Sequence, residues 1–335
     1  MNVTRTLALL AVVWSAAAQV PTIGEINFYG LHKTTPEHIL NALHIKTGDP
    51  LPPSKGEMEA TLERLPNVIL GAVEAACCEG SRAAVFIGLE ERGAPHAAFH
   101  SEPTGDATLP EHLHDSYFQF VGAVARAASH GETAEDLTAG HPMMNDPEAR
   151  KYTSEFISFA TDHLEQLRDV LHMSADADQR TVAAAVIGYA PNKKAVINDL
   201  EQAIQDPEES VRGNAIRSLN AIAVLANGHP EMGIKVPGTW LIQLLNSIVL
   251  SDRAESTKAL LTVTDKGDAS TLAQIHDQAL PALIEMARWK TPRYALPPFL
   301  LLGRVAGLTD AEVQQSWAKD DRETVLSQAQ GGKKK

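Results

Sequence analysis

The chain has 335 residues, of which 44% are hydrophobic, 21% are charged and 5% are aromatic. This composition is that of a folded, water-soluble protein, and the length predicts roughly two to three domains at about 150 residues each. With 42 acidic and 29 basic residues the formal net charge is −13, which argues against nucleic acid or an anionic membrane surface as the partner.

Residues 1–18 have the pattern of a secretory signal peptide. One basic residue, Arg5, precedes an apolar run at Leu7–Trp14, and small residues follow at Ser15–Ala18. The run is too short to span a bilayer, and no later stretch offers about 18 uncharged apolar residues. We therefore expect an exported protein without a transmembrane segment, periplasmic or extracellular after cleavage.

Residues 21–92 predict a small α+β domain. Alternating apolar residues and β-branched or aromatic content indicate strands, and capping residues followed by a proline or an acid indicate helix starts. The final two strands flank Glu79-Gly80-Ser81, which is typical of a hairpin. The expected order is β-α-α-β-β, with segments at Ile23–Tyr29, His38–Leu43, Ser54–Leu65, Val68–Cys78 and Arg82–Glu90.

Several motifs in this domain occur together at family-like spacing. They are I-x-x-I-x-F-x-G-L at Ile23–Leu31, T-x-x-x-I at Thr35–Ile39, I-K-T-G-D-P-L at Ile45–Leu51 and the acidic strand ending at Val85–Glu90. Their combination resembles a POTRA domain, a module of outer-membrane assembly and secretion machinery. The resemblance implies binding of an extended peptide or partner domain along a sheet edge. POTRA modules usually occur in tandem, whereas this chain has one copy, so docking is the role implied here.

Cys77 and Cys78 are adjacent. Cysteines usually pair in an oxidising compartment, but neighbours cannot reach ordinary disulfide geometry without a strained peptide. Two free thiols and a strained vicinal disulfide with a redox role both stay open. No C-x-x-C pattern of a redox or zinc site is present.

Residues 93–110 have the proline, glycine and small polar content of a linker, and we expect an extended tether. Four histidines with carboxylates nearby lie in it or just after it, at His96, His100, His112 and His114. Imidazole and carboxylate are zinc and copper ligands, so a metal-binding protein or an enzyme using these histidines is an alternative hypothesis. No pair has the H-E-x-x-H spacing, and His112 and His114 face different directions if helical, which leaves these two as weak candidates.

Residues 111–328 predict an all-α array, and residues 329–335 a disordered basic tail. Apolar residues at helical spacing favour one long helix over 146–173. Later helices are expected at Trp240–Leu250, Ala254–Val263, Leu272–Trp289 and Tyr294–Ala306, with a boundary at Ser251-Asp252-Arg253.

Two consecutive units within Leu167–Ala226 are similar to each other, which is typical of stacked helical repeats. The pattern L-x-x-A-I-x-D-P-x-x-x-V-R-x-x-A-I-x-x-L at Leu200–Leu219 closely resembles a HEAT repeat. The resemblance implies that Asp206 and Arg212 hydrogen bond laterally between repeats. Arg180 holds the matching place in the preceding unit, with Asp176 or Asp178 as the equivalent acid.

These patterns indicate a scaffold. The Asp–Arg positions are expected to be structural, and in the third unit Arg253 is displaced from the family position, which weakens the resemblance there. No G-x-S-x-G elbow, phosphate-binding glycine loop or paired histidines on a helix are present, so we expect no catalytic or cofactor-binding residues and no cofactor. The favoured hypothesis is an exported, non-enzymatic protein–protein interaction scaffold for a protein or peptide partner, connected with envelope or outer-membrane assembly. A purely structural spacer is a further hypothesis.

Overall fold

The computed structural model describes residues 20–79 and 81–331. The predicted signal peptide lies outside these residues, as does the end of the predicted basic tail at residues 332–335. A small sheet with two helices comes first, and helices make up almost all of the structure that follows. This agrees with the predicted α+β class.

The first unit has the predicted order β-α-α-β-β. Helix α1 begins at Pro36 because the Thr35 side chain caps it by accepting the His38 N–H. Strand β2 is antiparallel to β3 and forms the predicted hairpin, while β1 runs parallel to β3, giving the strand order β1-β3-β2. The elements are β1 Thr22–Tyr29, α1 Pro36–Leu43, α2 Lys55–Leu62, β2 Val68–Glu79 and β3 Arg82–Glu91.

Both faces of the sheet are covered. Val85, Ile87 and Leu89 of the central strand share one apolar cluster with Ile39 of α1 and Leu62 of α2. The intervening residues of β3 point to the other face, because side chains alternate along a strand. That second face packs against the helical part of the chain and belongs to its core.

The helical part begins after an extended segment and runs to the end of the described residues. Two short strands, Glu135–Asp136 and Met143–Met144, form a two-stranded ladder beside it. The helices are α3 Glu111–Ser129, α4 Pro147–Arg150, α5 Thr153–Asp162, α6 Leu164–Met173, α7 Ala177–Ile187, α8 Ile197–Ala203, α9 Glu209–Gly228, α10 Thr239–Leu244, α11 Leu250–Val263, α12 Ala269–Ala287, α13 Pro292–Val305, α14 Asp310–Ala318 and α15 Arg322–Gly331.

The prediction of one long helix over 146–173 is wrong. The segment forms α4, α5 and α6, with breaks after Arg150 and at His163. His163 leaves helical geometry at φ −131° and ψ 34°, and its ring packs on Phe159 with the ring centroids 4.6 Å apart. The apolar spacing continues across both breaks, so it predicted helix without showing where the backbone turns.

From α6 onward the helices pack in pairs: α6 with α7, α8 with α9, α10 with α11, and α12 with α13. The second helices of successive pairs also contact one another, from α7 through α9 and α11 to α13. Helix α15 packs on α12 and α13, so residues 329–331, assigned to the basic tail from sequence, are helical. Within the described residues no helix is both long and apolar enough to cross a membrane.

Residues 93–110 form no helix, and they pair with the helical part at several points instead of standing apart from it. The Gly105 N–H donates to the Met173 carbonyl at 2.8 Å, and the Gly105 carbonyl accepts the Ala175 N–H at 2.8 Å. The Leu109 N–H bonds Gln179 Oε1 at 2.7 Å, and Phe99 lies under Arg212, 4.1 Å from its guanidinium carbon. These contacts fasten the segment along the helices instead of leaving it as a tether.

Candidate functional site

The second face of the sheet joins the helices through an aromatic cluster. Trp289 is 3% exposed, and its ring meets Phe86 edge-on with the centroids 5.1 Å apart and Tyr29 with the centroids 6.1 Å apart. The indole Nε1 donates a 2.8 Å hydrogen bond to the Phe28 carbonyl. A buried indole N–H needs an acceptor, so this bond orients β1 on the helices. Sheet and helices therefore share one core at this junction.

Polar contacts beside the cluster fix the register of β1 against the start of α13. Buried Asn27 donates from Nδ2 to Thr291 Oγ1 at 3.0 Å and accepts the Lys290 N–H on Oδ1 at 2.7 Å. Thr291 in turn donates to Glu25 Oε2 at 2.8 Å. Because the Asn27 amide uses both its donor and its acceptor, its orientation is defined.

A cavity of about 660 Å³ opens beside this junction, between β1 and α12. We call it the junction cleft: residues 26–28 and 30–32 form one wall, and the α12 face with Gln278, Ala282 and Glu285 forms the other. Three consecutive residues of β1 line it, although their side chains alternate between the two faces of the sheet. The cleft therefore runs along the edge of β1.

Three arginines occupy the same place in successive helix pairs. Arg180, Arg212 and Arg253 are each the fourth residue after the N-cap, in α7, α9 and α11. All three are buried, and each donates to the backbone carbonyl six residues earlier, at Ser174, Asp206 and Ser247. The expectation that Arg253 is displaced is wrong, because α11 begins at Leu250, before the boundary predicted at 251–253.

The first two arginines each bind a carboxylate of the next helix pair. Arg180 donates from Nε and Nη2 to the two oxygens of Asp206 at 2.8 and 3.0 Å. Arg212 reaches Asp252 from Nε at 3.0 Å and from Nη2 at 2.9 Å. Asp176, the candidate acid before Arg180, caps α7 by accepting the N–H groups of residues 178 and 179. Arg180, Arg212 and Asp206 are thus placed in a lateral ladder that links successive helix pairs.

The third arginine lacks such a carboxylate. Arg253 Nη1 lies 3.7 Å from Glu285 Oε2, beyond hydrogen-bonding distance, and has no hydrogen-bond partner among the described residues. The guanidinium carbon lies 4.9 Å from the centre of the Tyr29 ring, and the side chain lines the junction cleft. Burial lowers the pKa of this guanidinium, with Glu285 acting in the opposite direction. A buried cation with unused donors therefore faces the cleft.

Glu285 is engaged by the turn that follows β1. Its two carboxylate oxygens accept the Gly30 N–H at 2.8 Å and the Leu31 N–H at 3.4 Å. Gly30 has a φ of 72°, and a Cβ there would lie 2.1 Å from the Leu89 carbonyl oxygen, so the turn needs glycine. Burial raises the pKa of the Glu285 carboxyl, while Arg253 and the two N–H groups oppose that rise. The carboxylate therefore fixes the position of the turn after β1, which lines the cleft.

The structure does not bring the four connector histidines, considered as metal ligands, close to one another. His112 Nε2 lies 4.0 Å from Glu155 Oε1, and His114 Nδ1 lies 3.9 Å from Asp115 Oδ1. His100 lines a smaller cavity of about 290 Å³ beside α6 and α8. Across residues 20–79 and 81–331 no group of three or more His, Cys, Asp or Glu side chains is arranged to hold a metal. The hypothesis of a connector metal site therefore gains no support from the geometry.

The two cysteines lie in β2, and their side chains are not among the described ones. The register of β2 against β3 shifts between Ala76 and Glu79, so the pair falls at an irregularity of the strand. The two thiol states considered from the sequence both stay predictions.

His141 should make stability depend on pH. It is half-buried, and its Nδ1 lies 3.3 Å from Lys193 Nζ. Burial, and to a smaller extent the Lys193 charge, lower the pKa of His141 from 6.5 to about 4, while the Asp136 charge acts in the opposite direction. Between these values the unfolded chain binds a proton that the folded chain does not. The free energy of unfolding is therefore expected to fall as pH drops from about 6.5 to about 4.

The measurement is urea unfolding across this pH range, together with NMR titration of the His141 ring. His141→Gln should flatten the pH dependence. Lys193→Met should raise the pKa of the His141 ring, because it removes the neighbouring cation. A midpoint near 6.5 in the unchanged chain would contradict the prediction.

Sequence reasoning missed Glu285 and Trp289 of the cleft region, and it identified Arg253 but treated it as displaced. A signal for the correct position of Arg253 was present, since Ser247 and Arg253 repeat the six-residue spacing of Asp206 and Arg212. No local signal exists for the contact between Phe28 and Trp289, which are 261 positions apart.

Comparison of the chain with protein-family models found no match, and neither did comparison with curated proteins. The fold and the cleft therefore define only an architectural class. It is a β-α-α-β-β sheet packed onto paired helices, with a cleft along the edge strand at the junction.

Proposed function

We propose that this chain is an exported, non-enzymatic binding protein that holds an extended segment of a partner protein in the junction cleft. In this proposal the paired helices are a HEAT-like α-solenoid, and the POTRA-like sheet supplies the docking edge. The N-terminal pattern supports export, and the POTRA resemblance supports a setting in the envelope, where outer-membrane assembly takes place.

The observation that carries the proposal is the course of the cleft along β1. This strand is at the edge of the sheet, and on its outer side the described backbone pairs at its start, where residues 21–23 bond residues 48–51. Further along, Trp289 occupies the Phe28 carbonyl and Glu285 the Gly30 N–H, so an added strand would use the edge groups that these contacts leave free. An edge strand offers N–H and C=O groups to an added peptide strand, and flanking pockets then select side chains. The cavity volume of about 660 Å³ lies within the range of about 300–1,000 Å³ typical of ligand sites.

The composition of the cleft also suits binding. Ile26, Phe28, Leu31 and Ile284 give it apolar surface, and polar or charged side chains make up the rest of the lining. Apolar surface buries the ligand and polar groups orient it in a recognition site. The resulting expectation is a short peptide with apolar side chains, bound in extended form.

The test is affinity selection of a random hexapeptide library on the full chain, with mass spectrometry of the retained peptides. Gln278→Trp places a bulky ring at the cleft wall, whereas Asp277→Trp places it on the neighbouring exposed position outside the cleft. We expect selected peptides to bind the unchanged chain and Asp277→Trp alike, and to lose binding to Gln278→Trp. Retention of no peptide, or equal binding to both variants, would overturn the proposal.

A further inference from the structure

We propose that Arg253, which lines the junction cleft, is the receptor for a carboxylate of the ligand. This inference rests on the proposed function for the peptide nature of that ligand, but the carboxylate site itself stands on separate observations. They are the repeated arginine ladder, the lack of a hydrogen-bonded carboxylate in its third step among the described residues, and the burial of an Arg253 nitrogen that has no hydrogen-bond partner there.

The ladder shows what this position binds. In the first two steps the guanidinium meets both oxygens of an aspartate, as Arg180 does with Asp206 and Arg212 does with Asp252. Two-oxygen contact is the arrangement that the planar fork of arginine favours. Arg253 has the same position in its helix and bonds the equivalent carbonyl, but it does so from Nε, where Arg180 and Arg212 use Nη1. Its Nη1 is therefore the donor left for a carboxylate.

The chain itself does not supply the third carboxylate. Asp206 lies two residues before the N-cap of α9 and Asp252 three residues after the N-cap of α11, and the matching places around Thr291, the N-cap of α13, are Trp289 and Tyr294. The Thr291 hydroxyl is already bonded to Asn27 and Glu25. Glu285 is nearest to Arg253, but its oxygens accept the two backbone N–H groups of the turn.

The Arg253 nitrogen without a hydrogen-bond partner is significant because the side chain is buried. Arg253 is 3% exposed, and its Nη1 is both shielded from solvent and without a hydrogen-bond partner among the described residues. Glu285 balances the charge from 3.7 Å, but a buried donor without an acceptor is costly, and natural structures rarely keep one without a role. The side chain also lines the cleft, so a ligand entering there lies beside it.

The surrounding charge favours an anion. Besides Arg253, the cleft is lined by Lys290 and by Arg288, whose guanidinium also binds Glu323, and Glu285 is its one carboxylate among the described lining residues. This local excess of positive charge lies in a chain whose net charge is −13. The apolar walls then suit the carbon chain behind the carboxylate. A peptide can present that group as its C-terminus or as an Asp or Glu side chain.

The first experiment uses hexanoate and hexanamide as probes on the full chain, followed by ¹H–¹⁵N spectra of arginine Nε–H groups. The Arg253 signal is assigned by its loss in Arg253→Met, with folding checked by circular dichroism. Hexanoate is expected to shift that signal, and hexanamide is not. Arg293→Met, an exposed arginine outside the cleft, is the matched control and should leave the hexanoate response unchanged.

The second experiment compares selected peptides as free acids and as C-terminal amides, each with and without Asp and Glu. We expect removal of the recognised carboxylate, or Arg253→Met, to weaken binding by roughly 10- to 100-fold, as for a hydrogen bond to a charged group. Loss on amidation assigns the C-terminus, and loss on removal of Asp and Glu assigns the side chain.

The outcomes separate the two proposals. A hexanoate shift at Arg253 without any selected peptide would overturn the proposed function and support the carboxylate site. Peptides that bind equally well without any carboxylate, together with equal responses to hexanoate and hexanamide, would overturn the carboxylate site and leave peptide binding in place.

Discussion

Replacement of Arg212 by methionine is expected to lower the free energy of unfolding by about 3–5 kcal/mol, because it leaves a buried charge without its partner. Arg212 and Asp252 are each 1% exposed, and the Arg212 Nε lies 3.0 Å from both carboxylate oxygens. The Arg212 Nη1 also bonds the carbonyls of Asp206 and Pro207 at 2.9 Å. Burial already raises the pKa of Asp252 against the effect of Arg212, and loss of the cation should raise it further.

Equilibrium unfolding in urea measures this loss, with the m-value as a check that the transition stays two-state. Arg288→Met is the matched control, since the Arg288–Glu323 pair has side chains 52% and 65% exposed and should contribute less than about 1 kcal/mol. Arg212→Met with Asp252→Asn removes the unpaired charge as well, and should recover part of the loss. A loss of under about 1 kcal/mol in Arg212→Met would show that the ladder contributes little.

Replacement of Trp289 by alanine is expected to lower the free energy of unfolding by about 3–5 kcal/mol, as for other buried aromatic residues. The indole packs on Phe86 and Tyr29, and its N–H bonds the Phe28 carbonyl. Its removal leaves a cavity and also frees a backbone acceptor of β1. The sheet should therefore loosen from α12 before the whole chain unfolds.

Hydrogen exchange of the β1 amides and urea unfolding together measure the effect of Trp289→Ala. Trp240→Ala is the control, because Trp240 is a partly exposed tryptophan on α10, away from the sheet. Faster exchange in β1 is expected for Trp289→Ala only. Unchanged protection of β1 would mean that the sheet is held by its polar contacts and by Phe86 with Tyr294 instead.

Local signals predicted the first unit well. The Thr35 cap with Pro36, the glycine after β1 and the alternating hairpin strands each act within a few residues of the element that they define. The β-α-α-β-β order was therefore available from the sequence. Boundaries among the later helices were less accessible, because apolar spacing continues through the short breaks at residues 151–152 and His163.

The candidate site was predicted only in part. The sequence pointed to Arg180, Arg212 and Asp206 through the repeated unit, and the structure places all three in one ladder. It gave no indication that the third arginine lacks its acid, because that depends on which residue α12 and α13 bring beside it. The connector histidines were selected because imidazole is a common metal ligand. Their closeness in the sequence does not bring them together in the structure.

The sequence by itself determined the elements and their class: alternation and caps specify a small sheet with two helices, and repeated apolar spacing specifies paired helices. The tertiary structure decided that the sheet packs onto α12 and α13, that residues 93–110 lie along the helices, and that a cleft opens at the junction. The physical reason is the separation along the chain between the residues that interact. Capping and alternation act between neighbours, whereas burial of Trp289 against Phe86 and the isolation of Arg253 depend on surfaces brought together from distant parts of the chain.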